Sequence, residues 1–256
     1  MLKIKYFCTL KTNYRIFTMK KITLLALVAI AIVSCSKVGK NEFLISGTTP
    51  KDIADGTAVY LQKQDSTGQL VYLDTAKVKA GKFEFKNKFD NKKFEQGIAL
   101  VEVAKIQGKV AIILESGAIT IDVKKDTIGK SKIGGTFSND QLMKYSQESE
   151  KINKRMMAFQ NVNMAKFQEA QAKKDTTAVN ALMKENSVFQ KDFENLSMSH
   201  MEKNPKSFLS LYFLQQFLAT PTADKVKLKK IYDALDSDLK ATKIGKKLAK
   251  ELGPAK

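Results

Sequence analysis

Tryptophan is absent from this 256-residue chain, histidine occurs once, at His200, and cysteine twice, at Cys8 and Cys35. Two widely separated cysteines exclude a disulfide-built scaffold, a multi-cysteine zinc site and a Cys-x-x-Cys redox centre. Arginine is almost missing too: Arg15 and Arg155 stand alone, so nearly all of the formal +18 charge is lysine. Nucleic-acid binding favours a basic stripe, preferably arginine-rich, with stacking aromatics. Here the lysines are spread along the chain and alternate with acids, so no nucleic-acid partner is expected. The remaining composition, 43% hydrophobic and 27% charged, is that of a folded protein with a core of ordinary size.

The first thirty-five residues read as an address. Met19-Lys20-Lys21, the apolar run Ile22–Val33 and Ser34-Cys35 form the three regions of a secretory signal. Twelve helical residues span about 18 Å, short of the ~30 Å bilayer core, so the run is not expected to anchor the protein by crossing it. Its end, Ile32-Val33-Ser34-Cys35, resembles a bacterial lipobox, which implies cleavage before Cys35 and acylation of that residue. Several acyl chains on one cysteine anchor a protein stably, where one would be marginal. Residues 1–18 precede a complete signal, and Met19 is the expected start. The expected organisation is residues 1–18 as a mis-assigned start, 19–34 as signal and 35–41 as lipidated cysteine and tether. The signal and leader carry six basic residues and no acid, so the chain from Cys35 keeps a net charge of about +12.

Glycine divides the chain beyond Cys35 into two modules. Eleven of thirteen glycines lie between Gly39 and Gly135, and none between Thr136 and Ile244. Glycine punctuates turns and weakens helices, so short elements precede long helices. In the first half the apolar period is two: Phe83 and Phe85 alternate with Glu84 and Lys86, Ile119 and Ile121 with Thr120 and Asp122. Further strands are predicted over Phe43–Gly47, Thr57–Gln62, Leu70–Val78, Ile98–Ala104 and Val110–Leu114, with lysine-rich edges. Seven strands without an intervening helix predict an antiparallel β-sandwich or partly open barrel over residues 42–137.

Residues 138–252 should form a helical bundle, which makes the fold α+β, with a four-residue tail at 253–256. Leu142, Tyr145, Ile152, Met156 and Phe159 share one helical stripe; Val179, Leu182, Phe189, Phe193, Leu196 and His200 share another. Asp175-Thr176-Thr177 between them reads as an N-cap, giving a long helical hairpin. Ser138-Asn139-Asp140 is expected to cap its first helix. Ser207–Ala219 is apolar almost all round and reads as the buried helix. One amphipathic helix carrying Val226, Ile231, Leu235 and Leu239 comes next, then a basic helical tail, Lys246–Leu252. Seven of nine methionines lie after residue 140, which predicts methionine as a flexible packer of the bundle core.

Little in this pattern carries chemistry. His200 falls on an inner stripe with no nucleophile beside it, and reads as a core histidine. Met198, His200 and Met201 are suited to a soft metal by type, but residue 200 points about 160° away from 198 on a helix. Asp233 with Asp236, and Glu148 with Glu150, read as solvated carboxylates paired to lysine. Gly134-Gly135-Thr136 lacks the lysine of a phosphate-binding loop. No enzyme activity, cofactor or metal is therefore expected.

The order of the pieces carries a resemblance. Phe43-Leu44-Ile45-Ser46-Gly47, Asp55-Gly56-Thr57-Ala58-Val59-Tyr60-Leu61, Leu73-Asp74-Thr75 and Gly81-Lys82-Phe83-Glu84-Phe85 come first. Ile113-Leu114-Glu115-Ser116-Gly117, Gly134–Asn139, Asn204-Pro205-Lys206-Ser207 and Ile244-Gly245-Lys246 come after them. Together they resemble the N-terminal part of thiol-disulfide oxidoreductase lipoproteins of the Bacteroidetes type. There a domain of unknown function and a helical segment precede a thioredoxin-like domain. In those relatives a Gly-x-x-Ala-Pro-x-Phe stretch leads into the Cys-x-x-Cys fold, whereas this sequence reads Gly253-Pro254-Ala255-Lys256. A dithiol needs two thiols in one site. The resemblance thus implies an accessory module that docks an envelope protein, such as a thioredoxin-like oxidoreductase. The alternative is a module that binds a glycan or small molecule through the loops around Asp55, Asp65–Gly68 and Glu115–Gly117. Ser36-Lys37-Val38-Gly39-Lys40 contains no acidic run, which points to an outer-membrane lipoprotein facing the periplasm.

Overall fold

The alternating apolar residues of the first half close a two-sheet sandwich. A computed structural model describes residues 38–65, 67–90 and 92–253. Among them are eight strands: β1 (Glu42–Thr48), β2 (Ala58–Gln64), β3 (Leu70–Lys77), β4 (Lys82–Lys88), β5 (Gly97–Val103), β6 (Val110–Leu114), β7 (Gly117–Asp122) and β8 (Lys132–Gly134). One sheet has the order β4-β1-β7-β8 and the other β3-β2-β5-β6. Each keeps free edges, so no barrel closes. Phe43, Ile45, Phe85, Ile119 and Ile121 of the first sheet interleave with Val59, Leu61, Val101, Ile112 and Leu114 of the second in one core. The intervening Glu84, Lys86 and Thr120 stay exposed, as alternation requires.

Pairing is antiparallel with one exception. β7 runs parallel to β1, Ile45 opposite Ile119, because it arrives from β6 of the other sheet through the Glu115-Ser116 corner. β8, which no alternation signalled, pairs with β7 over three residues. At Gly47 the ring of Phe83 lies so close that a Cβ would sit 2.0 Å from it, so only glycine fits.

The helices are α1 (Phe137–Ala172), α2 (Thr176–Lys203), α3 (Phe208–Leu218), α4 (Lys225–Ala234), α5 (Ser237–Ala241) and α6 (Lys243–Leu252). α1 and α2 make the expected hairpin, and Asp175 caps α2 by accepting the Ala178 N–H at 3.0 Å. Phe208, Leu209, Leu211 and Leu214 of α3 are buried at the centre of a second core with Leu228, Ile231, Leu235, Leu239 and Leu248. The single helix expected around Val226–Leu239 is two: Leu235 is extended, and Asp236 starts α5 by accepting the Asp238 N–H. Val226 is exposed rather than inward.

The two cores meet at β6. Ile112 and Leu114 face the sandwich, while Ile113 belongs to the helical core. β6 is an edge strand, and its outward backbone at Ile113 is taken up by one side chain. Asn139 Oδ1 accepts the Ile113 N–H at 2.9 Å and its Nδ2 donates to the Ile113 carbonyl at 2.8 Å, as a further strand would. Beside it, Glu115 accepts the Ser138 N–H at 2.7 Å, and the Ser138 hydroxyl accepts the Phe208 N–H at 3.0 Å. Ser138 and Asn139 therefore do not cap α1 as expected. Thr136 is its N-cap, with no side-chain bond to a helix N–H; its hydroxyl instead accepts from Asn139 Nδ2 at 2.8 Å, and Asp140 reaches back to accept the Gly135 N–H. Both cores are closed by residues between Phe43 and Leu248, and Val38–Lys256 forms a compact unit.

Candidate functional site

Cys35, with Ile32, Val33 and Ser34, lies outside the described residues. The other candidates sit on described elements, and most turn out to be structural. His200 is 8% exposed, packed edge-on against Tyr145 and Phe213 at ring distances of 5.8 and 5.7 Å. Burial lowers its pKa to about 4, so the imidazole is neutral at physiological pH, and its Nε2 has no partner among the described residues. Among the described residues, no cluster of three or more His, Cys, Asp or Glu could hold a metal ion. No helix there is long and apolar enough to cross a membrane.

The carboxylates are committed to local structure. Glu148 and Glu150 pair with Lys151 and Lys154, and Asp233 with Lys229. On the outer face of the β3-β2-β5-β6 sheet, Gln62, Glu102 and Lys109 close a triangle: Gln62 donates to Glu102 at 3.0 Å and accepts from Lys109 at 2.7 Å. The hydrogen bond from Lys109 holds the Glu102 carboxyl below its usual range. Gly135, at φ +89°, brings its backbone so near Ala118 that a Cβ would lie 2.4 Å from the carbonyl oxygen. That close approach accounts for the Gly-Gly pair without a phosphate.

The three loops proposed for a ligand do not converge. Asp55 precedes β2 and Asp65 follows it, so seven residues of strand separate them. Asp55 accepts the Ala80 N–H, and Asp65 accepts from the Thr67 hydroxyl and two backbone N–H groups. Glu115 lies at the opposite edge of that sheet, spent on Ser138. The exposed aromatic on the sandwich is Tyr72, 63% accessible, edge-on to Tyr60. One ring pair on an open sheet face makes no cleft.

Two concavities stand out among the described residues, beside a smaller one of about 350 Å³ around Thr49, Asp52 and Asp122. A cleft of about 900 Å³ lies between the sandwich and the C-terminal helices, lined by Lys40, Glu95, Ser116, Lys206, Asp238 and Lys243 among others. The second runs along the hairpin. Its inner part, about 370 Å³, is lined by Met156, Phe193, Ser197 and Phe217, and its outer part, about 610 Å³, by Phe159, Met164, Phe167, Leu182 and Met183. Asn186, Ser187 and Gln190 line both, so the two parts form one groove along one face.

The groove exists because the hairpin outgrows its support. α3 reaches it at Phe213, against Tyr145, and at Phe217, near Met156. From Met156 to Ala172 the helix runs a further ~24 Å at 1.5 Å per residue. Between Met157 and Val188 one residue, Ala170, is buried. The seam there holds Asn163 and Asn186 where leucines would close it, and Gln160 reaches Asn186 only at 3.5 Å. Met157, Met164 and Met183 are more than half exposed, which corrects the expectation that these methionines pack a core. Sequence periodicity identified the hairpin but not this groove, whose signal was the polar Asn163 and Asn186 on otherwise apolar stripes.

Residues 43–142 match a family model described as a domain of unknown function (DUF4369), which takes in all eight strands and the first turns of α1. No curated protein matches the chain.

Proposed function

We propose that the protein is a non-enzymatic envelope lipoprotein, anchored through Cys35, whose helical hairpin docks a protein partner. One observation carries the reading: a long hairpin projects past its bundle with an apolar, methionine- and phenylalanine-lined groove that its own seam leaves open. Methionine-rich surfaces adapt to a partner's side chains, and an amphipathic helix laid in such a groove would complete a three-helix packing. The resemblance to the N-terminal part of thiol-disulfide oxidoreductase lipoproteins supports a thioredoxin-like oxidoreductase as that partner. Outer-membrane attachment on the periplasmic side follows from the lipobox and the absence of an acidic run after Cys35. The glycan or small-molecule alternative has less support, since its three loops lie apart and their carboxylates are used locally.

The test is affinity capture of the full lipoprotein from its own envelope, compared with a Met164→Asp, Met183→Asp double variant. Both side chains are exposed, so the variant should keep its stability within about 0.5 kcal/mol. The expected result is recovery of a protein bearing a Cys-x-x-Cys thioredoxin domain with the wild type and its loss with the variant. Equal recovery from both would remove the hairpin from the account.

A further inference from the structure

Helix α6 has two unlike faces. Lys243, Lys246, Lys247 and Lys250 are spaced by three, one and three residues, which puts all four within an arc of about 100°. All four are exposed. Ile244, Leu248, Ala249 and Leu252 occupy the opposite side, in or against the helical core. Gly245 lets the helix press onto the Leu239 and Lys240 backbone, where a Cβ would come within 2.3 Å of the Leu239 carbonyl oxygen. The lysine face is thus held outward by packing behind it.

The charge on that face is poorly neutralised. Lys243 meets Glu95 at 2.6 Å and Lys247 reaches Glu251 at 3.8 Å, while Lys246 and Lys250 have no acidic partner within 4 Å among the described residues. Lys40 and Lys206 line the same cleft as Lys243 and Lys246. Four acids border that cleft as well: Glu95 pairs with Lys243, Asp236 caps α5, Asp238 stands in the first turn of α5 and Glu115 accepts the Ser138 N–H, so the charge left without a partner is that of Lys246 and Lys250 on the outer face of α6.

The position of this face matters as much as its charge. Lys40 and Asn41 are where the chain from Cys35 joins the sandwich, pinned by the Glu42 N–H to the Gly39 carbonyl and by Asn41 to the Phe89 carbonyl. Five residues of fully extended chain reach about 17 Å at most. A lipid on Cys35 would therefore hold Lys40, and the lysines sharing its cleft, close to the headgroups. Juxtamembrane lysines gain from an anionic surface within about a Debye length, ~8 Å at physiological salt.

We propose that the α6 lysine face, with Lys40 and Lys206, docks on an anionic phospholipid surface and sets the orientation of the body on the bilayer. The proposal rests on the reading of Cys35 as the lipid attachment point, and its test is kept separate from that reading. Residues 36–256, which contain both closed cores and no acylated cysteine, are sedimented with vesicles of phosphatidylcholine alone or mixed with phosphatidylglycerol. Binding is expected to the mixed vesicles at low salt, to be lost at high salt, and to fall about tenfold or more in Lys243→Gln, Lys246→Gln, Lys247→Gln, Lys250→Gln. A variant with Lys151, Lys154, Lys173 and Lys174 changed to Gln should bind as wild type, and circular dichroism checks that both stay folded. Equal binding to the two vesicle types, no loss in the α6 variant, or binding to a soluble polyanion such as dextran sulfate but not to mixed vesicles would each overturn the proposal. Palmitate labelling of the full chain, compared with Cys35→Ser, tests the attachment point on its own.

Discussion

The sandwich and the outer hairpin are built from the same alphabet to opposite ends. In the sandwich, alternation delivers every second side chain to a shared interior, and twenty buried residues touch in one cluster. In the outer hairpin, among the described residues, the two apolar stripes meet each other alone, and a single residue between Met157 and Val188 is buried. Hydrophobic patterning therefore does not by itself predict burial. A third layer is needed, and among the described residues the hairpin has none beyond Phe217. A surface that remains apolar without a layer over it is where a partner gains most from contact.

The largest effect that would sharpen this contrast is a matched pair of truncations. Phe43→Ala, from a fully buried ring touching Phe89 and Phe94, should cost about 3–5 kcal/mol. Phe167→Ala, on the half-buried hairpin seam, should cost less than ~1.5 kcal/mol. Denaturant melts of both variants measure the difference; equal losses would mean the hairpin is as much a structural member as the sandwich.

Next in size is Asn139→Ala, which strands the Ile113 N–H and carbonyl at a buried edge. A loss of about 2–3 kcal/mol is expected, with the helical core and sandwich unfolding less cooperatively. If Asn139→Ala melts as wild type, the β6 edge is not held by that side chain.

A smaller, pH-dependent effect comes from His200. Its folded pKa, about 4, lies below the ordinary 6.5 because burial disfavours the charged ring. The unfolded chain therefore binds a proton that the folded chain refuses as pH falls from about 6.5 towards 4. Stability should be full above pH 6.5 and decline through that window, and His200→Phe should remove this part of the slope. An unchanged slope in the variant would show that other groups carry it.

Much of the fold could be read from local pattern, because a strand's alternation and a helix's stripe are local properties. Phe83 and Phe85 against Glu84 and Lys86 located β4, and Asp175 located the start of α2. What escaped depended on distant partners. Ser138-Asn139-Asp140 looked like a cap by composition, yet Asn139 is used on a strand 26 residues earlier. Leu235-Asp236 held the break between α4 and α5 in plain sight as an aspartate cap, but the apolar stripe ran through it. Composition places Met157, Met164 and Met183 in a core, because an apolar stripe does not say where α3 stops, and all three are exposed. The candidate site was the least legible part, since an open groove is defined by what is not packed on it.

The most direct test of the docking arm is a photo-crosslinking side chain placed at position 164 of the lipoprotein in living cells, with the same group at position 72 as the comparison. Both positions are exposed, one in the hairpin groove and one on the sandwich face. The account predicts one dominant adduct from 164, identified as a thioredoxin-domain protein, and none of it from 72. The same adduct from both positions, or none from 164, would contradict it.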